Sequence, residues 1–163
     1  MQKLAWGKPT IKMGKTQEDG SMSTSLQDIG KIKEDTTAVN PQDGGSNEMY
    51  GEGHELLDEQ QLEGYDQIEF TVVSPTLAFL APFYGNTIEE ASKELKKMTT
   101  IVKDKYSVDI IPEKVGAIGY KASKCSVRID STFTAKEGWL SKFTLKNLLS
   151  EEDGFSTLYE RVQ

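Results

Sequence analysis

Residues 124–149 read KCSVRIDSTFTAKEGWLSKFTLKNLL. Cys125, Val127, Ile129, Ser131 and Phe133 alternate with Ser126, Arg128, Asp130, Thr132 and Thr134, the period of two that puts one face of a strand inward and the other toward water. Lys136 to Gly138 reads as a turn, and residues 139–144 with 145–149 as one strand or a bent pair. Upstream, Tyr106, Val108 and Ile110 alternate with Ser107, Asp109 and Ile111. Further back, Ile68, Phe70 and Val72 alternate with Gln67, Glu69, Thr71 and Val73, and Pro75 closes that strand. Shorter strands are expected at residues 24–33, at 54–57, and at 155–162 after the turn at 151–154. Five to seven short strands predict a mainly β fold: an antiparallel β-sandwich or incomplete β-barrel with one flanking α-helix.

The predicted helix starts at Asn86 or Thr87 as cap. It carries Glu89 and Glu90 in its first turn and Lys93, Lys96 and Lys97 toward its end. Ile88, Ala91, Leu95 and Met98 repeat at helical spacing and should face the sheet. The apolar patch TLAFLAPFYG at residues 76–85, interrupted by Pro82, is expected to pack as a short turn or irregular lid on the core. Residues 14–53 read as extended chain and turns, with NPQDGGSN at 40–47 a breaker cluster. Residues 1–163 form a single domain with an N-terminal arm at about 1–16 and a long acidic loop at about 34–53. No internal repeat is present.

With 163 residues and 18.1 kDa, the chain is long enough for one core. No apolar run approaches the ~18–20 residues that span a bilayer, and the opening MQKLAWGKPTIKMGK has no greasy core. The sequence therefore predicts a cytoplasmic chain with no membrane span and no signal peptide. Charge is segregated: Lys and Arg against Asp and Glu run 4 to 0 in residues 1–16, 2 to 14 in 17–69 and 13 to 12 in 70–163, within a net charge of −7. That distribution offers no basic stripe for phosphates, so specific nucleic-acid binding is not expected.

Motifs for chemistry are fragmentary. Gly14, Lys15 and Thr16 end like a phosphate-binding loop, but Pro9 stands where the leading glycine belongs and no helical pattern follows. Gly51, Gly53 and His54 have no βαβ setting. His54, between Glu52 and Glu55, could serve as a base or weak metal ligand, but as the only histidine it more simply reads as a half-exposed residue at a strand start. Asp43, Asn47 and Glu48 lack the spacing of a calcium loop. Cys125, the single cysteine, sits at an inward position and reads as a small buried hydrophobe. No catalytic residue, cofactor or metal site is assigned. Trp6, Trp139, Phe79, Phe83, Tyr84 and Phe143 read as core or protein-contact surface. Lys8, Lys12 and Lys15 form a basic arm able to reach the acidic stretch of a neighbouring copy.

The order of features resembles the phage major tail proteins, or tail tube proteins, relatives in fold of the type VI secretion inner tube protein. The resemblance lies in residues 26–33 with EDTT at 34–37, the acidic stretch to GEGHELLDEQ at 51–60, and the strand at 68–73. It continues from about Val108 through residues 124–134 to the EGW turn at 137–139. The patch at 76–85 is greasier than that family's pattern. The resemblance implies a non-enzymatic structural subunit that assembles into hexameric rings stacked as a hollow tube. Subunits would join edge to edge, with the arm and the long loop contacting the adjacent ring and an acidic lumen letting DNA slide. It implies a virion tail location after assembly in the host cytoplasm, with other tail proteins as partners and no membrane. The alternatives are a tail completion or connector protein, and a monomeric β-sandwich module binding carbohydrate or peptide around Trp139 and Tyr84.

Overall fold

The alternating stretch quoted above forms the second half of the longest strand and the strand that returns along it. The computed structural model describes residues 7–99 and 101–162. In chain order the strands are β1 (Thr10–Lys15), β2 (Gln27–Asp28), β3 (Ala38–Gln42), β4 (Ser46–Tyr50), β5 (Leu56–Gln61), β6 (Tyr65–Val73), β7 (Tyr106–Ile111), β8 (Ile118–Thr134), β9 (Gly138–Asn147) and β10 (Thr157–Glu160). Among the described residues the one α-helix, α1, spans Leu77–Leu80 and runs on as a 3-10 turn over Ala81–Tyr84. One antiparallel sheet has the order β2-β1-β7-β8-β9-β6-β3, with β10 beside the start of β8, and β4 pairs only with β5. The mainly β, antiparallel class expected from sequence holds.

The core is where the period-two faces meet. Ile68, Phe70 and Val72 of β6, Val127 of β8, and Phe143 and Leu145 of β9 are buried together with Ile11, Met13, Val108, Ala122 and Cys125. Phe143 is fully buried, stacked on Phe70 at 5.3 Å and met by Phe83 at 5.2 Å and Phe79 at 5.6 Å. Phe83 also reaches Tyr106 of β7 at 4.9 Å, so α1 and its 3-10 extension cap the sheet across β8. The patch at 76–85 is the expected lid, and it is also the helix.

β8 serves both halves of the sheet. Its first part pairs with β7 and β10, and from Cys125 onward it pairs with β9. Inward residues are Tyr120 and Ala122 before the middle, then Cys125 and Val127 after it. This change of parity is produced by a β-bulge opposite Ser107, where the register passes from Val108↔Ala122 to Tyr106↔Cys125. The Ser123 carbonyl at the bulge accepts hydrogen bonds from the hydroxyls of Ser107 and Thr16, both at 2.7 Å. That restores the partners a buried carbonyl requires.

Several sequence expectations are corrected. Residues 86–98 are not helical: they form a turn closed by the bridge Glu89↔Glu94, with Lys93 at φ 54°. Gly85, left-handed at φ 71°, ends the helical segment before them, and the core face such a helix would cover is already taken by Phe79 and Phe83. Of the predicted stripe, Ala91 and Met98 are exposed while Ile88 and Leu95 are half-buried. The arm at 1–16 is, from Thr10 on, an interior strand: β1 pairs with β2 and β7 and buries Ile11 and Met13, while Lys12 and Lys15 occupy more open positions. Trp6 lies outside the described residues. The strand expected at 24–33 shrinks to β2, because Asp28 Oδ1 accepts from the Gly30 amide at 2.9 Å and turns the chain. The stretch 34–53 folds as β3, a turn at Asp43 to Gly45, and β4. Pro41 sits in β3, an edge strand where its missing N–H costs no ladder bond. His54 lies in a 3-10 turn at φ 62°, ahead of the strand expected at 54–57.

Candidate functional site

Two surface features stand apart from the core. The first is the β4–β5 hairpin, in which every strand residue is exposed. Its root is closed by the Leu62 amide bonding the Gly45 carbonyl at 2.9 Å, and its outer end by the Gly51 amide on Glu55 at 2.8 Å. Two glycines permit the crossing at the root. A Cβ on Gly44 would stand 2.1 Å from the Glu63 carbonyl, and one on Gly64 would stand 2.1 Å from that of Gln42. Met49, Tyr50, Leu56 and Leu57 cluster near the tip, each more than half exposed. Acidic Glu48, Glu52, Glu55, Asp58 and Glu59 lie along the same hairpin with Glu63 at its root, and residues 46–63 contain no Lys or Arg. The Tyr50 hydroxyl donates to Glu48, which raises its pKa.

The second feature is a pocket of about 270 Å³ between α1 and the β8–β9 turn, with Leu77, Leu80, Leu95 and Trp139 among its walls. Tyr84, Ser131 and Ser141 line its floor and bond one another in a chain of 2.8 and 3.0 Å. Trp139 is 56% exposed and packs on the equally open Phe133 at 5.4 Å. Lys97 places its ammonium 4.7 Å from the Tyr84 ring centre. Trp139 and Tyr84, named together from the sequence, line this one pocket.

Other polar groups are engaged in holding the fold. Asn147 accepts from the Asp66 amide at 2.7 Å, and the Tyr120 hydroxyl donates to the Asp66 carboxylate at 2.9 Å. Burial first, and then that bond, raise the Tyr120 pKa. Tyr159 donates to Asp109 at 2.6 Å, and burial with this bond raises its pKa as well. Burial pushes the Cys125 thiol up to about 12, as befits an inert core residue. His54 is exposed on the hairpin tip. Gly14 and Lys15 lie in β1, and a Cβ on Gly14 would meet the Ser23 hydroxyl at 2.5 Å, so this is close strand packing with no phosphate loop. Asp43 turns back to the Gly45 amide at 2.8 Å, while Asn47 and Glu48, successive in β4, point to opposite faces. Among the described residues no group of three or more His, Cys, Asp or Glu side chains could hold a metal ion, and no helix is long and apolar enough to cross a membrane.

Sequence reasoning missed the hairpin tip as a surface; its signal is the pair Met49-Tyr50 and Leu56-Leu57 flanking a glycine-rich turn. It also missed the open side of β8. From Ser126 to Thr134 β8 pairs with β9 alone, and among the described residues no strand lies against its other side. Comparison with known proteins adds nothing to this geometry: no family model matches the chain, and no curated protein matches it.

Proposed function

We propose that this protein is a non-enzymatic structural subunit that self-assembles, as the tube subunit of a phage-like tail. The observation that carries the reading is the β4–β5 hairpin: a two-stranded hairpin alone is marginal in water, and this one exposes four large apolar side chains at its tip. The open side of β8 agrees with it, since an unpaired strand edge is a template for another chain. Subunits would join laterally through that edge into rings, which the tail-tube resemblance puts at six copies. The hairpin would make the contacts between rings. The acidic stretch of residues 17–69 suits a lumen that repels DNA.

Static light scattering across a range of protein concentrations, with electron microscopy of the same samples, tests this. Rings or tubes with about six copies per layer are expected, and a strict monomer at every concentration refutes the reading. A monomeric module for carbohydrate or peptide is the second reading, favoured by Trp139 and Tyr84 lining one pocket. It requires saturable binding to a monomer that disappears on Trp139→Ala.

A further inference from the structure

A second hollow, of about 620 Å³, opens between the end of β1 and the lid formed by α1 and its 3-10 extension. Strand parity places Lys15 on its wall. Ile11, Met13 and Lys15 fall on the same side of β1, the side that faces the core; the first two are buried, while Lys15, at the strand's end, is exposed. Asp104, two residues before β7, approaches it, with Oδ1 3.6 Å from the Lys15 ammonium. That exceeds the roughly 2.7–2.9 Å of a charge-assisted hydrogen bond, and both side chains are at least half exposed, so neither charge is satisfied by the other.

The floor holds a second, independent feature. Tyr106, paired with Lys15 across β1 and β7, is 7% exposed and packs its ring on Phe83. Its hydroxyl has no hydrogen-bond partner among the described residues, yet it is not sealed in, and the hollow is the opening that Tyr106 lines. A buried phenol ordinarily finds a partner. Burial first, and Asp104 second, keep this one protonated, so it has a proton to donate. Half-buried Phe79 and exposed Pro82 bring apolar surface to the same hollow, beside buried Met13 and Phe83.

These groups ask for a particular ligand. The volume of about 620 Å³ lies within the ~300–1,000 Å³ of small-molecule sites. Unlike charges side by side call for an ammonium and a carboxylate equally close together. A peptide end or a fatty acid carries only one of the two, whereas an α-amino acid carries both on one carbon. Phe83 lies 5.4 Å from Phe79 and 4.9 Å from Tyr106, ring centre to ring centre, a cluster that favours an aromatic side chain beside it.

We infer that the hollow between β1 and the lid binds a free aromatic α-amino acid. The ligand's carboxylate accepts from the Lys15 ammonium and the Tyr106 hydroxyl, its ammonium donates to Asp104, and its ring lies against Phe79 and Pro82. One loose ion pair is replaced by two closed ones, and the site stays neutral. Every contact comes from one chain, so no second subunit is required.

Saturation-transfer NMR with L-phenylalanine tests this, and it reads binding whether the protein is dispersed or assembled. The ligand's ring protons should receive saturation, with a Kd below about 1 mM. 3-Phenylpropionate, lacking the ammonium, and 2-phenylethylamine, lacking the carboxylate, should each bind at least about 10-fold more weakly. Asp104→Asn should weaken L-phenylalanine by the same factor and leave 3-phenylpropionate unchanged, so that the variant no longer tells the two apart. Lys15→Met should do the same for L-phenylalanine against 2-phenylethylamine. Both side chains are exposed, and far-UV circular dichroism checks that each variant keeps the fold. Tyr106→Phe, which keeps the ring on Phe83, should weaken L-phenylalanine and 3-phenylpropionate alike. Absence of saturation transfer up to about 10 mM ligand, or equal binding of 3-phenylpropionate and L-phenylalanine by wild type, would overturn the proposal. Loss of binding on Trp139→Ala that Asp104→Asn does not share would put the ligand in the other pocket and overturn it as well.

Discussion

Replacing Ser46–Gln61 by an Asn-Gly turn, with Asp43 to Gly45 and Leu62 to Gly64 kept, separates folding from association. Every residue removed is exposed except the half-buried Gly51, and none belongs to the core. Retention of the glycine crossing and of the Leu62–Gly45 bond preserves the root. What remains is loop closure. Shortening a connection of roughly 18 residues to roughly 4 changes (3/2)RT ln n by about 1.3 kcal/mol in favour of the shorter chain. The free-standing hairpin offsets little of this, being marginal by itself. Urea unfolding of the deletion variant, followed by tryptophan fluorescence at concentrations where wild type is dispersed, should therefore give a stability equal to wild type or up to about 1.5 kcal/mol higher. Light scattering of the same samples should show axial association gone. A loss of 2 kcal/mol or more would mean that the hairpin supports the core, and would refute its treatment as a surface for another molecule.

Phe83→Ala removes the side chain linking the lid to both Tyr106 and Phe143 and should cost about 3–5 kcal/mol in urea unfolding; a cost below 1 kcal/mol would mean the lid is not part of the core. Ser107→Ala leaves Thr16 as the side-chain donor to the Ser123 carbonyl and strips the Ser23 amide of its acceptor, for an expected cost of about 1–3 kcal/mol, with Ser126→Ala on the neighbouring β8 as a near-neutral comparison. Burial lifts Cys125 and Tyr106 from ordinary values of 9.0 and 10.0 to about 12. The folded state then holds protons that the unfolded chain releases, so their contribution is complete below pH 9 and declines as pH rises toward 12. Thermal melts at stepped pH should show this fall, and Cys125→Ala should flatten its first part.

What could be read from the sequence follows from how locally each element is specified. β6 and the β8–β9 pair were legible because Ile68, Phe70 and Val72, and Cys125, Val127 and Ile129, repeat strictly against polar neighbours. Both stretches bury one face only. β1 was not legible: TIKMGK brings just Ile11 and Met13 to the core, and its lysines give it the composition of a basic arm until β7 is known to lie alongside. The helix was misplaced for a related reason. Residues 86–98 carry the amphipathic spacing, yet a short helix depends on an apolar surface to cover, and LAFLAPFY occupies that surface with almost no polar face to betray it. The bulge in β8 did leave a trace, since the apolar parity changes between Ala122 and Cys125. The hairpin left the weakest trace. A strand pair with no buried face has no alternation to reveal it, and of its residues only the apolar tip signals anything.

That weak trace bears on the proposed function. A chain that exposes a long strand edge and an apolar hairpin at net charge −7 faces two hazards, indiscriminate strand pairing and repulsion between copies. Specific residues moderate the first. Pro41 denies the β3 edge a donor, and Arg128 with Asp130, ion-paired at 3.3 Å, places charge along the open side of β8 so that only a partner able to accommodate it can align there. The second hazard is strongest at the hairpin, where residues 46–63 gather six acids and no Lys or Arg. Copies placed head to tail keep two hairpins apart, whereas copies placed head to head oppose acid to acid. On the proposed reading, repulsion between hairpins therefore disfavours head-to-head stacking before any apolar contact is made.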